Sequence, residues 1–410
     1  MKVIKRFINL GFALFFLLPP SISAQVLTPK DSARAGLTSK DASTLISGYG
    51  EAKVQYDLRY STATADLTRN VLFVGHRFSN TIEMFSELEI ENAKVAGGEP
   101  GGEVSMEQVY LKFDINKDAY IVAGLFTPRI GIINENHLPT TFNGNDRPFV
   151  EQFVIPATWR ELGIGLYGAI PHIPGLNYSL AIVNGLNSGG FENGTGIEGG
   201  RFEGQNATAS NIALTGSLLY YIGNFRIQAS GYYGGSAGLT PKKADSLQLQ
   251  SGAFGTPVAL GEVDLQYFGK ALSFRALGTI VNIPDAAAIN RAYANNTPQE
   301  MVGAYAEVGY NILHLFNNSI KKSLTAFGRY EYMDLNYEIP GNGIINGINK
   351  KQYIITGLTY IPVHGIAIKA DYVLRQTGAP NTALIVTPYP QAPLYYTSNG
   401  YINFGIGYSF

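Results

Sequence analysis

A short stretch of the chain carries four glutamates at even spacing: Glu83, Glu87, Glu89 and Glu91. A β-strand points successive side chains to opposite faces, so these carboxylates would share one face and the apolar residues between them the other. Such a row can favour cations in a pore or bind a divalent ion. The competing interpretation is a solvated wall, in which the carboxylates pair with Arg69 and Arg77 of the preceding segment.

A second polar cluster lies in the stretch 131–158, the longest segment without a clear strand pattern. It carries Glu135, Asp146, Arg147 and Glu151 among prolines and several phenylalanines. A loop of this length is usually functional or disordered, and its aromatic content argues against disorder. We therefore expect it to fold inward and narrow a pore, the alternative being a surface loop packed on its neighbours. Two flanking cations, Lys112 and Arg129, complete the set of candidate pore-lining residues.

The sequence offers few residues suited to a metal centre or a catalytic nucleophile. The chain has no cysteine, and its five histidines are scattered along it at His76, His137, His172, His314 and His364. The sequence therefore predicts no metal site, no cofactor and no enzymatic activity.

The elements that must position these side chains are β-strands. From residue 45 onward, segments of about ten to fourteen residues alternate apolar and polar positions, and turn-forming residues separate them. We identify sixteen, at 45–58, 68–78, 80–92, 104–116, 118–130, 159–170, 176–187, 210–222, 224–234, 257–268, 270–281, 300–315, 321–334, 350–361, 365–377 and 400–410.

The lengths of the connections alternate throughout this assignment. Short turns, such as 79–80, alternate with long loops. The first long loop is 59–67 and the longest is 131–158. An even number of strands with short turns at one rim and long loops at the other is typical of a transmembrane antiparallel β-barrel, with short periplasmic turns and long extracellular loops. The predicted fold is thus all-β, and the predicted location is the outer membrane of a Gram-negative bacterium.

Both ends of the chain favour the same interpretation. Residues 1–24 have a basic start, an apolar core and a small-residue end, the pattern of a secretory signal peptide. Residues 25–44 read as a short periplasmic leader, which leaves 45–410 for the barrel. In the last segment Ile402, Phe404 and Ile406 face one way, and the chain ends on Phe410. This terminal aromatic strand resembles the recognition signal of bacterial outer-membrane barrels.

Charge gives little direction about partners. Removing the three cations of the signal peptide leaves 30 − 3 = 27 Lys and Arg against 31 Asp and Glu, a mature net charge near −4. Nothing here suggests a nucleic-acid partner. The charges assigned to the inner face are mixed, with a slight acidic excess.

Three short motifs carry a more specific resemblance. The motifs are 124–128 (GLFTP), 147–149 (RPF) and 159–168 (WRELGIGLYG). Together they are similar to the third-loop region of the phosphate-selective porin family. That resemblance implies passive diffusion of small anions through a trimeric sixteen-stranded barrel whose pore is lined by arginines and lysines. The acidic excess departs from this pattern, so phosphate selectivity is not carried over.

The function predicted from the sequence is an outer-membrane porin that passes small hydrophilic solutes or ions through a water-filled barrel narrowed by a long loop. The alternative is a substrate-specific channel with a saturable binding site, for example for phosphate or another small anion. The expected partners are outer-membrane lipid and lipopolysaccharide, the solutes, and further copies of the chain in a homotrimer.

Overall fold

The structure, a computed structural model, describes residues 44–92, 102–316, 322–384 and 395–410. The expected signal peptide and all of the expected leader except Thr44 lie outside the described residues. So do parts of the predicted connections at 93–103 and 378–399.

Sixteen β-strands are formed, as the alternating segments predict. They are β1 Thr44–Asp57, β2 Thr62–Ser79, β3 Ile82–Glu91, β4 Val104–Asn116, β5 Ala119–Phe126, β6 Glu161–Ala169, β7 Leu176–Asn184, β8 Ile212–Ile222, β9 Phe225–Gly235, β10 Pro257–Phe268, β11 Leu272–Asn282, β12 Glu300–Asn311, β13 Ser323–Glu338, β14 Lys350–Val363, β15 Ile366–Thr377 and β16 Ser398–Ser409. Among the described residues, three short α-helices lie in the connections: α1 Phe149–Phe153, α2 Pro241–Ser246 and α3 Ala286–Tyr293.

The strands close into one barrel, in which each strand pairs antiparallel with its sequence neighbours and β1 pairs with β16. The chain end completes the seam, because the backbone N–H of Gly48 donates to the Phe410 carbonyl (3.2 Å) and that of Phe410 to the Gly48 carbonyl (2.9 Å). Closure leaves no sheet edge with unpaired backbone groups, which a strand facing lipid cannot tolerate. The predicted closed antiparallel barrel of sixteen strands is therefore confirmed.

The two faces of the wall differ in chemistry as the alternation predicts. On β16, Phe404 and Ile406 point outward with 59% and 55% of their surface exposed, whereas Asn403, which precedes Phe404, is buried. Outward apolar residues recur on the other strands, for example Ile164, Leu180 and Val263. Among the described residues, no helix has the length and apolar character needed to cross a membrane. The outer surface is thus an apolar band, whereas the inner surface carries polar and charged residues together with a buried apolar cluster.

The first connection differs from its prediction. Residues 59–67 were expected to form a long loop, but β1 and β2 are joined by residues 58–61 alone. Thr62 to Leu67 extend β2 and pair along β1 as far as Asp57. This extension is exposed on both faces, so its threonines and alanines show no alternation of apolar and polar residues. Backbone pairing with β1 alone defines its register. Strict alternation of short and long connections is wrong at this position.

One irregularity matters for the site. The pairing of β3 with β4 shifts between Glu87 and Leu88, so that Gln108 pairs with Glu87, Met106 pairs with Leu88, and Glu107 is left over as a β-bulge. A bulge interrupts the alternation of faces. As a result Glu107 and Gln108 both point inward and are buried.

Candidate functional site

The inner face of the barrel is bonded to the segment of residues 127–160, which connects β5 to β6 and is called the inner segment below. Its apolar side chains are removed from solvent, among them Ile130, Ile133, Val154 and Ile155, each at most 1% exposed. Such burial of a connection requires acceptors and donors for its backbone, and these come from the barrel wall.

On one side of the barrel a buried carboxylate of α1 organises the inner segment. Glu151 accepts hydrogen bonds from the backbone N–H groups of Ile132 (2.8 Å) and Ile133 (2.7 Å) and from the Tyr305 hydroxyl of β12 (2.6 Å). On β13, the Glu331 carboxylate accepts from the backbone N–H of Val150 (2.9 Å). Burial raises the pKa of the Glu151 carboxyl to about 7, although its three hydrogen bonds act in the opposite direction.

Two strands near the seam hold the centre of the inner segment. Asp371 of β15 accepts from the backbone N–H of Asn145 (2.7 Å) and from its side-chain amide (2.6 Å). Asp146 forms an ion pair with Lys53 of β1 at 2.6 Å.

Glu135 and Arg129 of the inner segment each contact the barrel wall, on β9 and on β6 respectively. Glu135 pairs with Arg129 (2.8 Å) and with Arg226 (3.2 Å). The Arg129 guanidinium lies 5.3 Å from the ring centre of Tyr167. Its pKa is raised well above the usual range by Glu135, against the effect of burial. The predicted candidates Glu135, Asp146 and Glu151 are therefore anchored to other groups, and the same holds for Arg129.

The glutamate row of β3 lies beside the arginines of β2. The solvated-wall interpretation predicts these ion pairs. Arg69 contacts Glu89 (3.3 Å) and also Glu51 (2.9 Å), and Arg77 contacts Glu83 (3.0 Å). The row is nevertheless poorly solvated, since Glu89 is 2% exposed.

The other members of the row have different partners. The carboxylate of Glu83 also meets Lys112 of β4 at 3.3 Å. Glu87 is buried and accepts a hydrogen bond from the side-chain amide of Gln108 (2.7 Å). Glu91, at the end of β3, is half-buried and lines a cavity.

Arg147 is the predicted candidate whose environment is most unusual. It is buried, its Nη2 donates to the backbone carbonyl of His137 at 3.4 Å, and it forms no ion pair within the part of the chain that the structure describes. The pKa of its guanidinium is lowered by burial and by the neighbouring Arg69.

Two cavities lie on the β2–β6 side of the barrel. The first, of about 330 Å³, is at the end of the barrel with the long connections. Its charged lining residues are Arg69, Arg147, Arg160, Arg201, Glu89, Glu91, Glu103, Glu198 and Glu203. The second, of about 410 Å³, is at the short-turn end and is lined in part by Lys112, Asp114, Tyr120, Arg129 and Asn177.

Five charged residues of the first cavity were not among the sequence candidates, namely Glu103, Arg160, Glu198, Arg201 and Glu203. Arg160 and Arg201 both contact Glu203, at 2.7 Å and 3.0 Å. Arg201 and Glu203 belong to the connection between β7 and β8, and no sequence pattern indicates that this connection reaches the inner segment. Arg160 stands within the motif 159–168, which was the one signal that could have selected it.

Glu107 was also missed, because a strict period of two places it on the outward face with Val109. The bulge instead brings it to His137 of the inner segment, with Glu107 Oε1 3.4 Å from His137 Nε2. His137 therefore lies beside a carboxylate that the sequence pattern does not place near it.

A closed barrel of sixteen antiparallel strands, apolar outside and charged inside, defines the class of outer-membrane-type β-barrels. The chain belongs to the same family as an uncharacterized protein of Aquifex aeolicus (strain VF5), to which it is 31% identical over 341 residues, 80% of this chain and 74% of the relative. No family model matches.

Solved structures show the same architecture at low sequence identity. The anion-selective porin from Comamonas acidovorans is 11% identical, with a TM-score of 0.53 over 90% of this chain and 99% of that one. OmpT of Vibrio cholerae in its trimer form is 9% identical, with a TM-score of 0.51 over 90% and 99%. At these identities the likeness shows the fold, which is that of outer-membrane porins. The phosphate-selective subtype stays a prediction.

Proposed function

We propose that the protein is an outer-membrane porin that lets small hydrophilic solutes or ions diffuse through its lumen, which the inner segment narrows. The observation that carries this proposal is the ring of contacts around residues 127–160. Partners on β1, β9, β12, β13 and β15 hold this segment, which also meets β4 at Glu107, and two cavities remain on the β2–β6 side.

The permeation path in this proposal runs between the inner segment and strands β2 to β6. Solutes enter the cavity of about 330 Å³ at the long-loop end and leave by that of about 410 Å³ at the short-turn end. Between these cavities the inner segment contacts the wall, with His137 3.4 Å from Glu107, and the buried side chains of Glu87 and Gln108 lie beside this contact, which forms the neck of the path. Size exclusion at this neck, together with the charges that line the cavities, would set which solutes pass.

Selectivity in this proposal is weak, because four arginines and five glutamates line the first cavity together. Most of these charges neutralise one another in pairs, as Arg69 does with Glu89 and Arg160 with Glu203. Opposite charges at short range leave little net field along the path.

The second candidate function is a substrate-specific channel, and Arg147 favours it. A buried guanidinium without an ion pair in the described chain is costly, and a small anion in the cavity would compensate it. A binding site of this kind makes flux saturate with one solute, whereas simple diffusion stays proportional to concentration.

The location and assembly follow from the same proposal. The apolar outer band would contact outer-membrane lipid and lipopolysaccharide after export directed by residues 1–24. A homotrimer is proposed because OmpT of Vibrio cholerae, which shares the fold, is described in a trimer form. Chemical crosslinking of the purified protein in detergent would test it, and a single monomer band would refute it.

The experiment for the channel is conductance recording on the purified protein in planar bilayers, with reversal potentials measured in a salt gradient. We expect discrete steps and weak ion selectivity. Arg147→Gln should shift the reversal potential toward cation preference and Glu91→Gln toward anion preference. A unit charge about 7 Å from an ion in water contributes about 0.6 kcal/mol, so each permeability ratio should change about two- to threefold.

The paired variants serve as controls for each other, since they remove opposite charges from the same cavity. Absence of conductance from folded protein would refute the channel. An unchanged reversal potential in both variants would place the ion path elsewhere. Saturation of flux by one solute, lost in Arg147→Gln, would favour the substrate-specific alternative.

A further inference from the structure

Three potential metal ligands meet where the inner segment touches β3 and β4. They are Glu87 of β3, Glu107 of β4 and His137 of the inner segment, and one ligand atom from each lies within 4.8 Å of the others. All three side chains are at most 5% exposed. Carboxylates this deeply buried normally require a positive partner, and besides His137 the guanidinium groups of Arg147 and Arg69 stabilise the charge of Glu107.

The β-bulge of β4 creates this arrangement. Without it, Glu107 would share the outward face with Val109, which is 37% exposed. Bulges of this kind often re-aim a side chain next to a functional site, and they cost local pairing. Here the bulge turns one additional carboxylate toward the only histidine of the inner segment.

Neighbouring side chains orient both carboxylates. The Tyr49 hydroxyl donates to Glu107 Oε2 (2.7 Å), and the Gln108 amide donates to Glu87 Oε2 (2.7 Å). The other oxygen of Glu107, Oε1, is buried and accepts no hydrogen bond within the described part of the chain. Outer partners of this type orient the ligands of metal sites.

The spacing of the two nearest ligand atoms fits a tetrahedral site. Two ligands about 2.1 Å from a zinc ion, at the tetrahedral angle, are about 3.4 Å apart. Glu107 Oε1 and His137 Nε2 are 3.4 Å apart. The competing explanation for this pair is an ion pair with a protonated imidazole, which needs no metal.

We propose that Glu87, Glu107 and His137 bind a divalent transition-metal ion that fastens the inner segment to β3 and β4. Two carboxylates and one neutral imidazole match the charge of such an ion and the ligand preference of zinc. Calcium prefers six to eight oxygen ligands, so it should compete poorly at a site with an imidazole and three protein ligands.

The test is metal binding by the whole barrel, purified without a polyhistidine tag and stripped with a chelator. After dialysis against zinc, elemental analysis should find about one zinc ion per chain. Cobalt in place of zinc should give the visible absorption of a tetrahedral site. An excess of calcium should leave both signals unchanged.

Variants separate this site from adventitious binding. Glu107→Gln and His137→Gln should each lower zinc affinity at least about 100-fold, and Tyr49→Phe, which removes only an orienting bond, about 10-fold. The matched control is His76→Gln, since this histidine bonds Thr44 at the exposed edge of β1 and should be irrelevant. Heat-dependent migration on gels verifies that each barrel is folded.

His137 lies in a connection rather than a strand, so its replacement leaves the barrel ladder intact even if Glu107→Gln prevents folding. Failure of the wild type to retain zinc would overturn the proposal, as would wild-type affinity in His137→Gln. Because binding is measured without conductance, a negative result here leaves the channel function standing, and the reverse also holds.

Discussion

The carboxylate of Glu151 should determine how firmly the inner segment is held, and its removal gives the sharpest test of the structure. In Glu151→Ala, the N–H groups of Ile132 and Ile133 and the Tyr305 hydroxyl lose their acceptor. A buried donor left unsatisfied costs about 1 to 3 kcal/mol. Three such groups give about 3 kcal/mol at the low end, so the fraction of molecules with the segment released should rise at least about 100-fold.

The chain has no cysteine, which makes thiol labelling a clean assay. Val154 is fully buried in the inner segment, and Val154→Cys introduces a thiol of similar size there. Labelling by a maleimide then requires local release of the segment. In the Glu151→Ala background we expect labelling to be at least about 100-fold faster than in Val154→Cys alone.

Glu151→Gln is the matched control, since its amide oxygen still accepts hydrogen bonds and its volume is unchanged. Its labelling rate should stay within about tenfold of the parent. Equal rates in the alanine and parent backgrounds, with both barrels folded by gel migration, would show that Glu151 does not hold the segment.

Three further predictions use other features. Because burial raises the pKa of Glu151 to about 7 from about 4.5, docking of the inner segment is fully stabilised below about pH 4.5 and weakens as pH rises through 7; labelling of Val154→Cys, normalised to an exposed thiol, should accelerate over this range, and Glu151→Gln should abolish the change. Gly124 has a φ of +138°, and a Cβ there would lie within 2.4 Å of the Val109 carbonyl, so Gly124→Ala should destabilise the barrel by about 1 to 3 kcal/mol; an unaltered urea midpoint would contradict this. If both the channel and the metal site are correct, micromolar zinc should lower conductance in the wild type and leave His137→Gln unaffected. Equal block in both would show that zinc does not act on conductance through this site.

The strand count and the closure of the barrel could be predicted from the sequence because lipid imposes a strict alternation. On β16 the pattern of Ile402, Phe404 and Ile406 outward with Asn403 inward is visible in the letters alone, and the structure reproduces it. The extension of β2 could not be predicted, since the stretch from Thr62 to Leu67 lies outside that constraint.

The candidate site was predictable only where a strand register defines it. Arg69 and Glu89 come together because β2 and β3 pair, and their facing follows from the period of two. The inward turn of Glu107 depends on a bulge, which no alternation reveals. The approach of Arg201 to the cavity depends on how a long connection packs, and such packing is set by tertiary contacts rather than by local pattern.

Part of the acidic excess of the inner face serves to hold the inner segment. Asp371 and Glu331 accept backbone N–H groups of the inner segment, at Asn145 and Val150 respectively, and Glu262 does so more weakly for Gly131 at 3.4 Å. These carboxylates satisfy a buried backbone, so they are not charges of the proposed permeation path. Counting them as pore charges therefore overstates cation preference. The sign of any selectivity should instead follow the residues of the two cavities, of which the first is lined by four arginines and five glutamates.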